Sequence, residues 1–239
     1  MPILAIDTST MVSGAAIATK DRLIAEVTMQ LKLPQSQVLL GHIEDVLKIA
    51  HMDKKDLDGI AISIGPGSFT GLRIGLASAK MLSYALDIPV VTVSSLEAMA
   101  YHYPVPNIYI ASVLDAQKNN AYFSLYEYNG KGFDEKKSIC VMAFDEVIDF
   151  CSKLDKPVIF VGDITQKKAD MIAEAPNVSL GMPHLCMPRA ANVAMAAMPK
   201  FLNGEFANIM NLEPVYIRRS EAEVLWEKRH SQDKTGENA

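Results

Sequence analysis

The sequence predicts a mixed α/β fold built from a repeated unit, and three observations carry that prediction. The first 30 residues read as three short strands separated by tight turns. Helical and strand patterns then alternate, the arrangement expected of a sheet flanked by helices. After Tyr103-Pro104-Val105-Pro106, a segment that reads as a linker or hinge, the opening pattern returns: IYIASVLDAQ places Asp115 at the end of an apolar strand, as ILAIDTST places Asp7. The two aspartates lie 108 positions apart, which implies duplication.

Each element has a local reason. ILAIDTS, SGAAIAT and LIAEVT are the three opening strands, turning at Thr10 and at Lys20-Asp21. From Ser36, Val38, Leu39, Ile43, Val46, Leu47 and Ala50 follow a period near 3.6, so a helix is expected with Ser36 as its cap. DGIAISIG reads as a buried strand, and GPGSFTGLRIGLASAK follows it as a glycine-rich turn and a helix from about Thr70 to Leu86, stopped before Pro89. VVTVS is the next strand. SSLEAMA opens a helix, with Ser94 or Ser95 as cap and Glu97 spaced for a capping box.

In the second half, NAYFSLYEY alternates as a strand and Asn129-Gly130 supplies a hairpin turn. KKSICVMA, FDEVIDFCSKL and PVIFVGD read as strand, helix and strand, and ITQKKADMIAEA and ANVAMAAMPKFLNG as two further helices. EPVYIRRSEAEVLWEKR reads as a short strand running into a helix, while SQDKTGENA is too polar to pack. The expected organisation is an N-terminal unit, 1–103, joined by a C-terminal helix at about 214–229. A smaller unit spans 107–211, and a disordered tail spans 231–239.

Composition narrows the class. In 239 residues, 49% are apolar and 21% charged, enough for ordinary cores. No apolar run approaches the roughly 20 residues of a membrane span, so no membrane association is expected. The N-terminus carries Asp7 early and no basic region, unlike a signal peptide, and three widely spaced cysteines fit reduced thiols, so a cytoplasmic location is expected. A net charge of −5 argues against this chain gripping a nucleic acid alone.

The glycine turn decides where chemistry can lie. Five residues separate Gly65 from Gly71, and Leu72-Arg73 stands where a phosphate loop needs Lys-Ser/Thr. The spacing G-x-G-x-x-x-G likewise misses the dinucleotide fingerprint. What remains is Gly67, which lets backbone approach a ligand, and the amides of Ser68 to Gly71, which favour an anion. Asp7, Thr8, Gly65, Gly67 and Ser68 are thus the candidate nucleotide or phosphate residues. Behind the turn, Gly71, Gly75 and Ser78 form a row of small residues beside Leu72, Leu76, Ala79, Leu82 and Leu86. Such a row admits close backbone packing, either by the chain's own sheet or by another subunit.

Other constellations are sparse. The five histidines show no H-x-x-x-H or H-E-x-x-H spacing. His184 near Cys186 reads as structural, and Asp7 and Asp115 can each be a water-mediated magnesium ligand or a residue that bonds loop amides. Ser68 lies in no nucleophile elbow. No catalytic set and no metal site assemble.

ILAIDTST, GPGSFTGLRIGLASAK, VSSLEA, LDAQKNNAYFSLY and EPVYIRRSEAE, in that order over residues 1–229, resemble the TsaB (YeaZ) family. The resemblance implies an actin-like fold of two ribonuclease-H-like units. It also implies a role in making threonylcarbamoyladenosine beside the tRNA anticodon. The implied partners are a TsaD-type catalytic subunit and a TsaE-type ATPase, with tRNA met through the complex and a homodimer when the partner is absent. A fainter resemblance reaches TsaD itself, whose metal-binding histidines would fall at Ser95 and Met99. Neither side chain suits a hard or borderline divalent ion. The resemblance therefore implies no cofactor held by this chain's own ligands, with ATP or ADP and a divalent metal in the partner subunits. In the family, the helices matching 36–50 and 70–86 pack against TsaD or a second copy. That makes Val38, Leu39, His42, Val46, Gly71, Leu72, Gly75, Ser78, Ala79 and Leu82 the expected interface. Gln35 stands where relatives commonly have His. The rival expectation is a phosphotransferase of the sugar- or acetate-kinase type using Asp7-Thr8 and the glycine turn; a protease is the weakest.

Overall fold

The computed structural model describes residues 1–30 and 35–217. Ten strands and six α-helices lie among these residues, and they fall into two five-stranded sheets. The first sheet contains β1 (Ile3–Asp7), β2 (Val12–Ala18), β3 (Leu23–Gln30), β4 (Gly59–Ser63) and β5 (Val90–Val93), in the order β3-β2-β1-β4-β5. The second contains β6 (Tyr109–Asp115), β7 (Asn120–Tyr128), β8 (Phe133–Ala143), β9 (Val158–Val161) and β10 (Val178–Leu180), in the order β8-β7-β6-β9-β10. Both orders are the same path. A three-stranded antiparallel meander places its first strand at the centre, and two parallel strands follow on the other side. The duplication read from Asp7 and Asp115 is therefore a duplication of topology, with both aspartates ending a central strand.

β1 is central because every one of its residues can be buried. Leu4 and Ile6 point to one face and Ile3 and Ala5 to the other, and all are fully covered. The Leu4/Ile6 face receives α1 (Gln35–Ile49) and α2 (Phe69–Leu86), which pack side by side through Leu39, Ile43, Val46, Leu76 and Ala79. The Ile3/Ala5 face receives α6 (Ala190–Leu202), whose Val193, Ala194, Ala197 and Phe201 pack on Ala16, Ala61 and Val91. The second sheet holds α4 (Phe144–Ser152) and α5 (Ala169–Glu174) against Ala111, Val113 and Phe123. Its opposite face is covered by α3 (Ser95–Ala100), through Leu96 and Met99 against Ile110, Leu114 and Tyr122.

Two helices have thus crossed over, which corrects the expected division of the chain. α3, from the 1–103 segment, lies on the second sheet, and α6, from the 107–211 segment, lies on the first. The small residues of α6 let it sit close on a sheet face made largely of alanine and valine. Where the two helices meet, Lys200 Nζ donates to Glu97 Oε2 at 2.8 Å. That pair also explains why no capping box forms on α3: Ser94 accepts from the Leu96 amide, but Glu97 turns to α6. β10 was not expected from the sequence, because three residues are too few to show alternation. The helix expected at 214–229 and the tail at 231–239 fall outside the described residues except for 214–217, which are extended and non-helical.

Candidate functional site

The site begins where β1 ends. Asp7 is completely buried, and its Oδ1 accepts from the amide and the hydroxyl of Ser9, both at 2.8 Å. Its Oδ2 has no hydrogen-bond partner, nor has the buried Ser63 Oγ at the end of the neighbouring β4. Burial outweighs the Ser9 bonds and raises the Asp7 carboxyl to about 6. Thr8 and Ser9 are also fully buried, and Thr10 nearly so.

The glycine turn closes over this corner. Gly67 has φ +158 and, like Gly65 at φ +107, an unusual backbone that glycine accommodates. A Cβ on Gly67 would overlap the Ser9 carbonyl oxygen, so glycine is required by close approach to the chain itself. The Ser68 amide donates to that same oxygen at 2.7 Å. Ser68 Oγ then caps α2 by accepting from the Gly71 amide at 3.2 Å. Ser95 completes the closure: its amide donates to the Gly65 carbonyl at 3.0 Å and its hydroxyl to the Pro66 carbonyl. Two of the amides expected to attract an anion are therefore bonded within the chain. The candidate residues Asp7, Thr8, Gly65, Gly67 and Ser68 do come together, but as a closed corner of the fold.

The row of small residues on α2 has the same explanation. A Cβ on Gly71 would overlap the Thr8 carbonyl oxygen, and one on Gly75 would overlap the Thr8 hydroxyl. Thr8 Oγ1 donates to the Gly71 carbonyl at 2.8 Å, fixing the helix against the end of β1. Of the two readings of this row, the structure gives the first: Gly71 and Gly75 face the chain's own sheet. Leu39, His42, Val46, Leu72 and Ala79 are buried with them, while Val38, Ser78 and Leu82 are half-buried. His42 bonds Ser13 Oγ through Nδ1 at 3.1 Å, and burial lowers its affinity for a proton.

The outward faces of α1 and α2 carry residues that sequence reasoning passed over. On α2, Arg73, Ala77, Met81 and Tyr84 are exposed at a spacing that places them in one stripe, with Tyr84 82% and Met81 53% accessible. On α1, Leu40 is 50% accessible, and a Cβ on the adjacent Gly41 would meet nothing. The available signal was the apolar Met81 and Tyr84 lying off the Leu72/Leu76/Ala79 face, hence on the surface.

The matching corner in the second half is closed by charge. Asp115 Oδ1 accepts from the Gln117 amide at 2.8 Å, and Oδ2 pairs with Lys167 Nζ at 3.0 Å. These contacts hold its carboxyl below the usual range although burial opposes them. Cys186, beside His184, is buried and directs its thiol to the carbonyls of Gly181 and Met182. Among the described residues no three His, Cys, Asp or Glu side chains gather in a metal-binding group, and no helix is long and apolar enough to cross a membrane.

Two sheets of identical topology, exchanged helices and a shared corner chemistry define an actin-like protein of two ribonuclease-H-like units. A profile described as "TsaD: tRNA N6-adenosine threonylcarbamoyltransferase" matches residues 34–226. The TsaB of Bacillus subtilis, named as a tRNA threonylcarbamoyladenosine biosynthesis protein, is 32% identical over 228 residues, covering 95% of this chain and 98% of its own. That of Escherichia coli is 27% identical over 231 residues, covering 95% and 98%. The solved YeaZ of Pseudomonas aeruginosa superposes with a TM-score of 0.75 at 24% identity, over 90% of this chain and 99% of its own, which shows the fold. The chain belongs to the TsaB (YeaZ) family.

Proposed function

We propose that this chain is a non-catalytic subunit in threonylcarbamoyladenosine synthesis. In this reading it stabilises a TsaD-type partner that transfers the threonylcarbamoyl group from threonylcarbamoyl-AMP to adenosine beside the tRNA anticodon. The names of the relatives support the process. The division of labour rests on one observation: the α1/α2 surface presents Leu40, Met81 and Tyr84 to solvent, while the corner at Asp7 is closed by the chain's own hydrogen bonds. A surface of large apolar side chains suits a protein partner. A closed corner does not suit a phosphoryl donor, which counts against the phosphotransferase reading. ATP or ADP, the divalent metal and the TsaE-type ATPase then belong to the partner side, tRNA is met through the complex, and a second copy takes the same face when the partner is missing.

The test is reconstitution from purified TsaD-type and TsaE-type subunits, tRNA, threonylcarbamoyl-AMP and ATP, with and without this chain. Modification should require the chain. Tyr84→Asp and Leu40→Asp should each weaken association with the partner and modification by at least about tenfold, with an unchanged melting temperature. Full modification in the absence of the chain would overturn the proposal.

A further inference from the structure

The segment Glu213–Ile217 runs over the glycine turn after Leu212 has anchored in the core of the first sheet. One backbone bond ties it down: the Val215 amide donates to the Ile64 carbonyl at 2.8 Å, one residue beyond β4. The Val215 carbonyl lies over Gly65, where a Cβ would approach it to 3.3 Å. The remaining attachment is made by side chains on the first turn of α2. Tyr216 stacks on Phe69 with ring centres 4.6 Å apart and planes 10° from parallel. Arg73 Nε donates to the Tyr216 hydroxyl at 2.8 Å, and its guanidinium lies 5.6 Å from the ring centre. Arg73 also heads the exposed stripe that continues through Ala77 and Met81 to Tyr84.

We propose that Glu213–Ile217 is a strap, and that Tyr216 holds the first turn of α2 so that the C-terminal end of the chain sets the helix face that receives the catalytic partner. A segment held by a single backbone bond and an exposed aromatic contact opens far more readily than a core strand. It is the natural point of control. Gly71 and Gly75 make the dependence sharp, because glycines give this end of α2 little side-chain packing of its own against β1. Releasing Tyr216 frees Phe69 and Arg73 together, and with them the top of the exposed stripe. Tyr216 is a positioning residue in this scheme, and the second half of the scheme rests on the function proposed above.

The experiment is amide hydrogen exchange on the full chain, followed by titration of the catalytic partner. In Tyr216→Ala, amides of Phe69 to Ile74 should exchange about fivefold faster, the scale of one lost aromatic pair, while those of β6 and β7 stay unchanged. Tyr216→Phe keeps the stack and loses the bond to Arg73, so its effect should be smaller. The dissociation constant for the partner should rise in the same order across the two variants. Wild-type exchange at Phe69 to Ile74 in Tyr216→Ala would overturn the strap. Faster exchange with unaltered affinity would overturn the coupling alone. If the wild-type chain fails to bind the partner, the proposed function fails and takes the coupling with it, while the exchange result still decides the strap. Should Tyr216→Ala not fold, Tyr216→Leu, which keeps apolar cover over Phe69, carries the same comparison.

Discussion

Replacing Asp7 by asparagine removes a charge from a place with almost no means of stabilising it. The carboxyl is fully buried, two donors meet Oδ1, and none meets Oδ2. Burial raises its pKa from 3.8 to about 6. Because the folded value lies above the unfolded one, the contribution is fully present below about pH 4 and is lost as pH rises through 6. A gap of about two units corresponds to a loss on the order of 3 kcal/mol by pH 8. Asparagine is nearly isosteric and neutral throughout. Its Oδ1 can accept both Ser9 donors, and its Nδ2 can donate to Ser63 Oγ. Asp7→Asn should therefore match the wild type near pH 4.5 and exceed it at pH 8 by about 6–12 °C in melting temperature, at the ratio typical for a chain of this size. Thermal melts of both proteins from pH 4.5 to 8.5 measure the difference directly. A difference that does not change with pH, or a variant less stable than wild type at pH 8, would refute the assignment of Asp7 as a buried structural acid.

Three further substitutions probe the frame. Gly71→Ala drives a methyl into the Thr8 carbonyl and should cost about 1–3 kcal/mol in urea unfolding, whether or not a partner is present. Glu26 accepts from the amide of Ala191 at 3.1 Å and pairs with Arg189, so it serves as the cap that α6 lacks from its own sequence. Glu26→Ala should lower the unfolding free energy by about 1–2 kcal/mol and show as early exchange of the first turn of α6. Lys167→Met, at an exposed ion pair with Asp115, should change the urea midpoint by an amount equivalent to less than about 1 kcal/mol, with most of the difference removed by added salt.

The order of strands and helices was legible because each element obeys its own periodicity. The alternating burial of β1, the 3.6 period of α1 and the Ser68 cap before α2 are all local properties. The repeat was legible because Asp7 and Asp115 end equivalent strands. What could not be read was which surface meets which. The spacing of Gly71, Gly75 and Ser78 says that something approaches α2 closely, but the identity of Thr8 as that neighbour depends on β1 and β4 being adjacent. The exchange of α3 and α6 is also non-local, since alanine-rich α6 fits a face assembled from four separated strands. Glu97 carried a correct local signal for a capping box, and a lysine more than one hundred residues away took it instead.

The two halves close the same corner by different chemistry, and that difference bears on the function. In each, a glycine after the fourth strand of the unit lies against the central strand or its turn. A Cβ on Gly67 would overlap the Ser9 carbonyl, and one on Gly162 would overlap the Val113 carbonyl. Around Gly67 the remaining contacts are made by neutral hydroxyls and amides of Ser9, Ser68 and Ser95, which shield a buried acid from water. Around Gly162 the Asp163 carboxylate takes the Asp115 amide at 2.8 Å, and Lys167 neutralises Asp115 at the surface. A cleft that handles a triphosphate needs charge and donors left open towards the ligand. Here each half turns its strongest donors and acceptors on itself. What the fold leaves turned outward on α1 and α2 is Leu40, Met81 and Tyr84, groups that gain by contact with another protein and have no part in moving a phosphoryl group.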